Sequence, residues 1–276
     1  MLSPHDVSAR RRAFRQLHES GCFVIPNPWD PGSARYLQQL GFKALATTSS
    51  GAAWRHAKAD GQMSVEETLA HLHEMVAATG LPVNADFEAG YAPDAVGVAR
   101  NVRLAVDTGV AGLSIEDSTG DASAPLRDIV AAVERICAAR AAIDEAGGET
   151  LLVGRAENFI VGRPDLGDAI RRLQAYAEAG ADCLYAPGIT TREQIAAVVA
   201  AVAPKPVNLL VGFPTELTLR DIEALGVRRV SVGGALARAA WAGFMRAAQL
   251  IAAEGKFDGF AGAAAGAELN RLMREG

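Results

Sequence analysis

The feature that most constrains this chain is a rhythm that runs almost from end to end. Short, predominantly apolar runs, most of them continuous, close on glycine or polar residues, and each is followed by a stretch of helical character. The apolar runs fall at 23–25, 44–48, 83–87, 112–115, 151–153, 182–186, 207–211 and 229–232. The helical stretches fall at 33–40, 64–78, 94–107, 126–146, 168–179, 192–202, 219–225 and 235–253. Some carry boundary signals: Ser64 with Glu67 makes a capping-box pattern, and Gly41, Gly180 and Gly226 stand where a helix should stop. Strands that are apolar throughout, rather than alternating, belong to a parallel sheet covered on both faces. Eight strand–helix units in 276 residues therefore predict an α/β fold, a (β/α)8 barrel of the TIM type. An extra N-terminal helix is predicted at 6–20, and a short helix near 264–273 follows the last unit. No composition shift marks a linker, so 1–276 is expected to form a single domain. No G-x-G-x-x-G or P-loop pattern follows the first strand, which argues against an open nucleotide-binding sheet.

In such a barrel the reacting groups stand at the carboxyl ends of the strands. Those ends carry Asn27, Trp29 and Asp30; Thr48, Ser49, Ser50 and Gly51; Asp86 and Glu88; Glu116 and Asp117; Arg155 and Glu157; Asn208; and Ser231 with Gly233 and Gly234. Asp86 and Glu88 are two apart, so on an extended backbone they project from one face. Either they are solvated acids before a turn, or a hard divalent cation with oxygen ligands relieves their repulsion. Ser114-Ile115-Glu116-Asp117 repeats the arrangement, an apolar strand closing on acids. Arg155 ends another apolar strand with Glu157 two residues on. It is either a structural ion pair at the barrel mouth or a planar fork for a substrate carboxylate. The N–H groups of Ser49-Ser50-Gly51 and Gly233-Gly234 suit a second carboxylate or a phosphoryl-like group.

Other classes are argued against by what the chain lacks. A net charge of −5 with scattered acids gives no footprint for nucleic acid or an anionic membrane. No window reaches the apolar length of a membrane span. The first residues, with Asp6, Arg10, Arg11 and Arg12, lack the apolar core of a signal peptide. Cys22, Cys137 and Cys183 are far apart, which points to a reducing compartment and a cytoplasmic location. All five histidines precede residue 80, and only His56 stands in a loop that could reach the rim. With no G-x-S-x-G or H-E-x-x-H pattern, nucleophilic acyl transfer and zinc hydrolysis are not expected. The stretch 235–253 is apolar around most of its circumference (Leu236, Trp241, Phe244, Met245, Leu250, Ile251). That is more than a helix covering a barrel from one side requires, and it predicts a homo-oligomer.

Asn27-Pro28-Trp29-Asp30 with Ser33-Ala34-Arg35, Ala46-Thr47-Thr48-Ser49, Asp60-Gly61, Ala85 to Tyr91 (ADFEAGY), Ile115-Glu116-Asp117-Ser118 and Tyr176 to Asp182 (YAEAGAD) keep a recognisable order. In these the chain resembles the isocitrate lyase/phosphoenolpyruvate mutase superfamily over about residues 14–250. The resemblance implies a barrel with Mg²⁺ at its rim, Mn²⁺ being an alternative, assembled as dimers or tetramers that exchange the eighth helix. On that basis the C-terminal helices from about 235 serve subunit association. By the same resemblance Asp86 is the nearest metal carboxylate, with Glu88 and Glu116 acting largely through water. Thr48 and Ser49 stand where the family binds the substrate's carboxylate, and Arg155 is its arginine. With Trp29, Ser50, Gly51 and Asn208 from the same rim they make the expected substrate-binding set. Arg155, Asp60 and Glu116 fall among the catalytic positions.

The departures matter as much. The lyases of the superfamily carry a Lys-Lys/Arg-Cys-Gly-His motif after the Glu116 strand, where this chain reads Ser118-Thr119-Gly120-Asp121-Ala122-Ser123. The mutase-type lysine is absent there too, and Pro187 stands where a histidine would follow the sixth strand. What remains is a metal-stabilised enolate on a small 2-oxo or 2-hydroxy carboxylate. The expected activity is a Mg²⁺-dependent C–C lyase, by isocitrate lyase-like cleavage or 2-oxo acid decarboxylation. The alternatives are a C–P bond enzyme acting on phosphonopyruvate, or a 2-oxo acid binding protein without turnover.

Overall fold

The computed structural model describes residues 3–274. Eight strands are present: β1 (Phe23–Ile25), β2 (Leu45–Ala46), β3 (Val83–Asp86), β4 (Gly112–Glu116), β5 (Leu151–Arg155), β6 (Cys183–Tyr185), β7 (Val207–Leu210) and β8 (Arg229–Ser231). The helices are α1 (Pro4–Leu17), α2 (Pro31–Gln39), α3 (Ser49–Arg55), α4 (Val65–Ala78), α5 (Ala95–Asp107), α6 (Ile129–Glu145), α7 (Leu166–Glu178), α8 (Arg192–Val202), α9 (Leu219–Ala224), α10 (Ala235–Glu254) and α11 (Gly266–Arg274). All strand pairs are parallel, in the order β1-β8-β7-β6-β5-β4-β3-β2. The ring closes between β1 and β2 through single bonds rather than a ladder. The Ala46 N–H donates to the Pro26 carbonyl at 3.1 Å, and Asn27 Nδ2 donates to the Thr47 carbonyl at 2.8 Å. The expected (β/α)8 barrel and its N-terminal helix are both there.

Helix α1 seals the amino-terminal end of the barrel. Phe14 is fully buried with Ile25, Ala44, Ala111, Leu151 and Val153, and His18 packs edge-on against both Phe14 and Phe23. Arg11 ties the same helix down by donating to the Val110 and Val106 carbonyls. Gly112 is required here, because a Cβ at that point would lie 2.8 Å from the Phe14 ring and from Asn84 Oδ1. With this end packed, access is left to the carboxyl ends of the strands.

Local chemistry moves two boundaries from their sequence-based places. Ser49-Ser50-Gly51, which falls in none of the helices expected from the sequence, opens α3, since the Thr48 and Asp86 side chains both accept N–H groups of its first turn. The helix expected from Leu126 begins at Ile129, because Leu126 pairs with Ser118 in an antiparallel bridge and Asp128 supplies the cap. The capping box at Ser64 and Glu67 is as predicted. Only Ala237 of α10 is buried, while Trp241, Phe244 and Met245 are exposed and the helix packs mainly on the turn at Asp258–Phe260. Beyond that turn α11 returns to α2, where Arg35 and Gln39 donate to the Met273 and Leu272 carbonyls. No helix among the described residues is long and apolar enough to cross a membrane.

Candidate active site

Two compartments meet at the carboxyl ends of the strands. An inner chamber of about 150 Å³ descends into the barrel between Thr48, Asn84, Ser114, Tyr185, Asn208 and Ser231. An outer vestibule of about 510 Å³ is walled by Glu88, Glu116, Ser118, Gly120, Glu157 and Val161. Ser49, Asp60 and Arg155 border both, so they form the neck. A more open hollow of about 670 Å³ near Leu126, Arg163 and Arg171 lies to one side and shares none of these groups.

Arg155 is the centre of the neck. It is the last residue of β5, registered beside Glu116 on β4 and Tyr185 on β6. Its Nη1 stands 3.2 Å from both Asp86 Oδ1 and Glu116 Oε2, and its Nε donates to Glu157. The guanidinium carbon lies 5.2 Å from the centre of the Tyr185 ring, within cation–π range. Nη2 has no hydrogen-bond partner among the described residues and is the donor left for a ligand.

One guanidinium faces an excess of carboxylates. Burial raises the pKa of Glu116 and of Glu157, and Arg155 only partly opposes it. Glu88 is raised to about 7, first by burial and then by Asp86, Glu116 and Asp60, against a hydrogen bond from the Tyr91 hydroxyl. Desolvation raises Asp60 as well, only partly opposed by the nearby Ser49 and Arg155 side chains. Glu88 also holds a left-handed backbone, φ 45°, a strained conformation for a glutamate. Uncompensated carboxylates built only of oxygen donors fit a hard divalent cation. Among the described residues, however, no three acid, histidine or cysteine side chains converge as direct ligands. Asp86, Glu88 and Glu116 therefore do not form a ready three-ligand cage. An ion held directly by one carboxylate, with waters bridging to the others, is the arrangement they fit.

Asp117, expected with Glu116 among the rim acids, is instead buried behind the rim. Its Oδ1 accepts the Glu157 N–H at 2.8 Å, while Oδ2 accepts Arg172 Nη1 at 3.1 Å and the Tyr176 hydroxyl at 2.6 Å. The YAEAGAD stretch that includes Tyr176 thus braces the loop that carries Glu157.

The remaining expected positions divide. Thr48, Ser49, Ser50 and Asn208 line the chamber, and Asp60 lines both compartments. The Ser49 N–H is already taken by Asp86 Oδ2 at 2.9 Å. Gly51 is buried under Thr48 and Trp29 and is not part of the lining. Trp29 points away from the chamber into a lateral cleft with Arg55, Trp241 and Phe244. Gly233 offers nothing to a ligand either, because Asn27 Oδ1 accepts the Val232 and Gly233 N–H groups, each at 2.9 Å. His56 ends α3 on the surface.

Residues 14–252 match the phosphoenolpyruvate phosphomutase family. The chain belongs to that family. Its fold overlays a protein of Burkholderia cenocepacia J2315, provisionally named a lyase/mutase, with a TM-score of 0.93 and 47% identity over 97% of this chain and 96% of that one. It is also similar to oxaloacetate decarboxylase of Rhodopseudomonas palustris (strain BisB18), 32% identical over 81% of this chain and 77% of the relative. The structure of oxaloacetate acetylhydrolase with its product oxalate overlays with a TM-score of 0.85 and 26% identity, covering 96% and 94% of the two chains. This chain is accordingly an enzyme of the superfamily's lyase and mutase class.

Proposed function

We propose that this enzyme is a Mg²⁺-dependent lyase that breaks a C–C bond in a small 2-oxo or 2-hydroxy carboxylate. The observation that carries the reading is the neck itself, where one guanidinium with a free Nη2 stands between Asp86 and Glu116. Asp86 would hold Mg²⁺ directly, and Glu88 and Glu116 through water; the ion, when bound, supplies a Lewis acid for the substrate's carboxylate and carbonyl oxygens. Mn²⁺ suits the same oxygen donors.

The side chains do the rest. Arg155 Nη2 donates to the oxygen on which charge grows as the C–C bond breaks, an interaction that strengthens toward the transition state. Glu157 and Tyr185 fix the plane of that guanidinium. Thr48, Ser49 and Ser50 orient the carboxylate from the chamber side, and Asn208 stands deeper. Asp60, from the loop after α3, borders the neck beside Ser49 and faces both compartments. The loop at 118–123 brings no lysine, cysteine or histidine to the vestibule, which disfavours the lyase-type acid and the mutase-type lysine alike. The exposed apolar face of α10 supports the homo-oligomer by helix exchange.

A substrate panel tests the reading: oxaloacetate, malate, isocitrate, methylisocitrate and phosphonopyruvate with Mg²⁺, products identified by NMR. Mg²⁺-dependent C–C cleavage of at least one carboxylate is expected. Conversion of phosphonopyruvate alone, followed by ³¹P, would replace the reading with C–P chemistry.

A further inference from the structure

At the bottom of the inner chamber lies a charge that the neck does not use. Arg229, the first residue of β8, is only 3% exposed, yet it borders the chamber. Its hydrogen-bond partners are all neutral: Nε donates to Asn208 Oδ1 at 2.7 Å, and Nη1 faces Asn84 Oδ1 at 3.4 Å and His18 Nε2 at 3.5 Å. His18 is held neutral, its pKa lowered to about 3 by burial and by Arg229 itself, and its Nδ1 is turned to the Phe14 carbonyl. The other ionisable neighbours are Cys183 and Tyr185, whose burial keeps them uncharged. No carboxylate offsets the guanidinium, which cannot itself lose its proton at any working pH. Nη2 has no partner among the described residues.

This charge sets the polarity of what lies above it. A guanidinium only donates, so Asn208 Oδ1 is fixed as an acceptor and its Nδ2 as a donor. Nδ2 then donates to Ser231 Oγ at 2.9 Å. The Ser231 hydroxyl is left to donate onward, toward Tyr185 or a ligand. The floor of the chamber is therefore net positive, its acceptors being turned to Arg229 or already used, and a buried unpaired charge of this kind is costly unless an anion answers it.

We propose that Arg229 is the specificity-determining residue of the inner chamber, where it acts with Asn208 and Ser231 to receive a second carboxylate of the substrate that the product retains. This rests on the C–C lyase reading above and narrows it. A carboxylate that departs as CO2 loses its charge on the way, so a cation beneath it stabilises the ground state more than the transition state. The bond that breaks is then not the one to this carboxylate.

The test uses calorimetry with Mg²⁺ on matched ligands, 2-hydroxybutyrate and malate, which differ only in a terminal methyl or carboxylate. Wild-type enzyme binds malate at least about tenfold tighter, the yield of one charged hydrogen bond. Arg229→Met brings that ratio close to one. Ser231→Ala, which deletes a single hydroxyl, lowers it severalfold and stands in if the first variant does not fold. A ratio near one in wild type, or one that survives in the variants, overturns the assignment. Oxalate serves as the reporter of the neck: if it fails to bind wild type, the lyase reading fails instead. Retention is tested with oxaloacetate, whose loss of CO2 should stay at the uncatalysed rate; wild type releasing CO2 faster than Arg229→Met would overturn it.

Discussion

Replacing Arg155 separates a catalytic guanidinium from a structural one. The side chain touches Asp86, Glu116 and Glu157, all largely buried. Arg155→Met leaves these carboxylates facing one another without a cation. Breaking a buried pair by removing one partner costs about 3–5 kcal/mol. In a chain of this size that corresponds to a fall in Tm of roughly 6–20 °C. Arg155→Lys keeps a positive charge but cannot hold Glu157 through Nε and the two rim acids through Nη1 while also offering a further nitrogen to substrate. Its stability cost should be about 1.5–3 kcal/mol, the range for hydrogen bonds to charged groups. Its kcat should fall on the order of a hundredfold, the cost of losing one donor to a developing oxyanion. Thermal melts and steady-state kinetics of both variants provide the comparison. If Arg155→Lys melts lower while kcat stays within threefold of wild type, Arg155 is a brace for Glu157 and the catalytic assignment is wrong.

Asp117→Asn cannot accept from the Glu157 N–H, Arg172 and Tyr176 together; it should cost about 3 kcal/mol or more by denaturant unfolding, and an unchanged midpoint would refute the bracing role. His71 is buried with both ring nitrogens unpartnered and its pKa lowered to about 4, first by burial. Because the folded value lies below the unfolded one, the unfolded chain takes up the proton first as pH falls, and stability is lost from about pH 6.5 down to about 4. His71→Leu should raise Tm by a few degrees near neutrality, through removal of unsatisfied polar atoms worth about 1 kcal/mol or more, and should flatten that acid-side loss; an equally steep loss in the variant would show that other groups carry it. Light scattering at micromolar concentration should give the mass of a dimer or tetramer, and Phe244→Asp on the exposed face of α10 should shift it toward the monomer. A monomeric wild type would remove the basis for helix exchange.

The barrel was legible because burial on both faces imposes continuous apolar strands, and the eight runs could be counted before any contact was known. Asp86, Glu116 and Arg155 were legible for a related reason: a charged residue closing such a run has only the open end of the barrel to face. Local patterns failed where a distant partner decides the outcome. Ser49-Ser50-Gly51 shows no helical pattern of its own, and α3 starts there because Asp86, far along the chain, accepts its first N–H. Gly233 looks like an N–H donor until Asn27 is found to occupy it. Arg229, beside Arg228 at the start of a strand, reads as flanking polarity; only the register with Asn208 shows that its side chain turns into the barrel. Asp117 follows Glu116 and so shares its appearance, but the strand's alternation sends it behind the rim to Arg172 and Tyr176.

The central claim is that Asp86 and a divalent cation make this rim a C–C lyase. Its most direct measurement is turnover by metal-stripped enzyme as Mg²⁺ is readmitted, wild type beside Asp86→Ala, on whichever carboxylate the panel identifies. Wild type should be inactive when stripped and regain full activity with Mg²⁺, with a rise in Tm when ion and substrate are present together. Asp86→Ala should stay folded and inactive at every Mg²⁺ concentration. Full activity in the stripped enzyme, or Mg²⁺ restoring Asp86→Ala to the wild-type rate, would contradict the account.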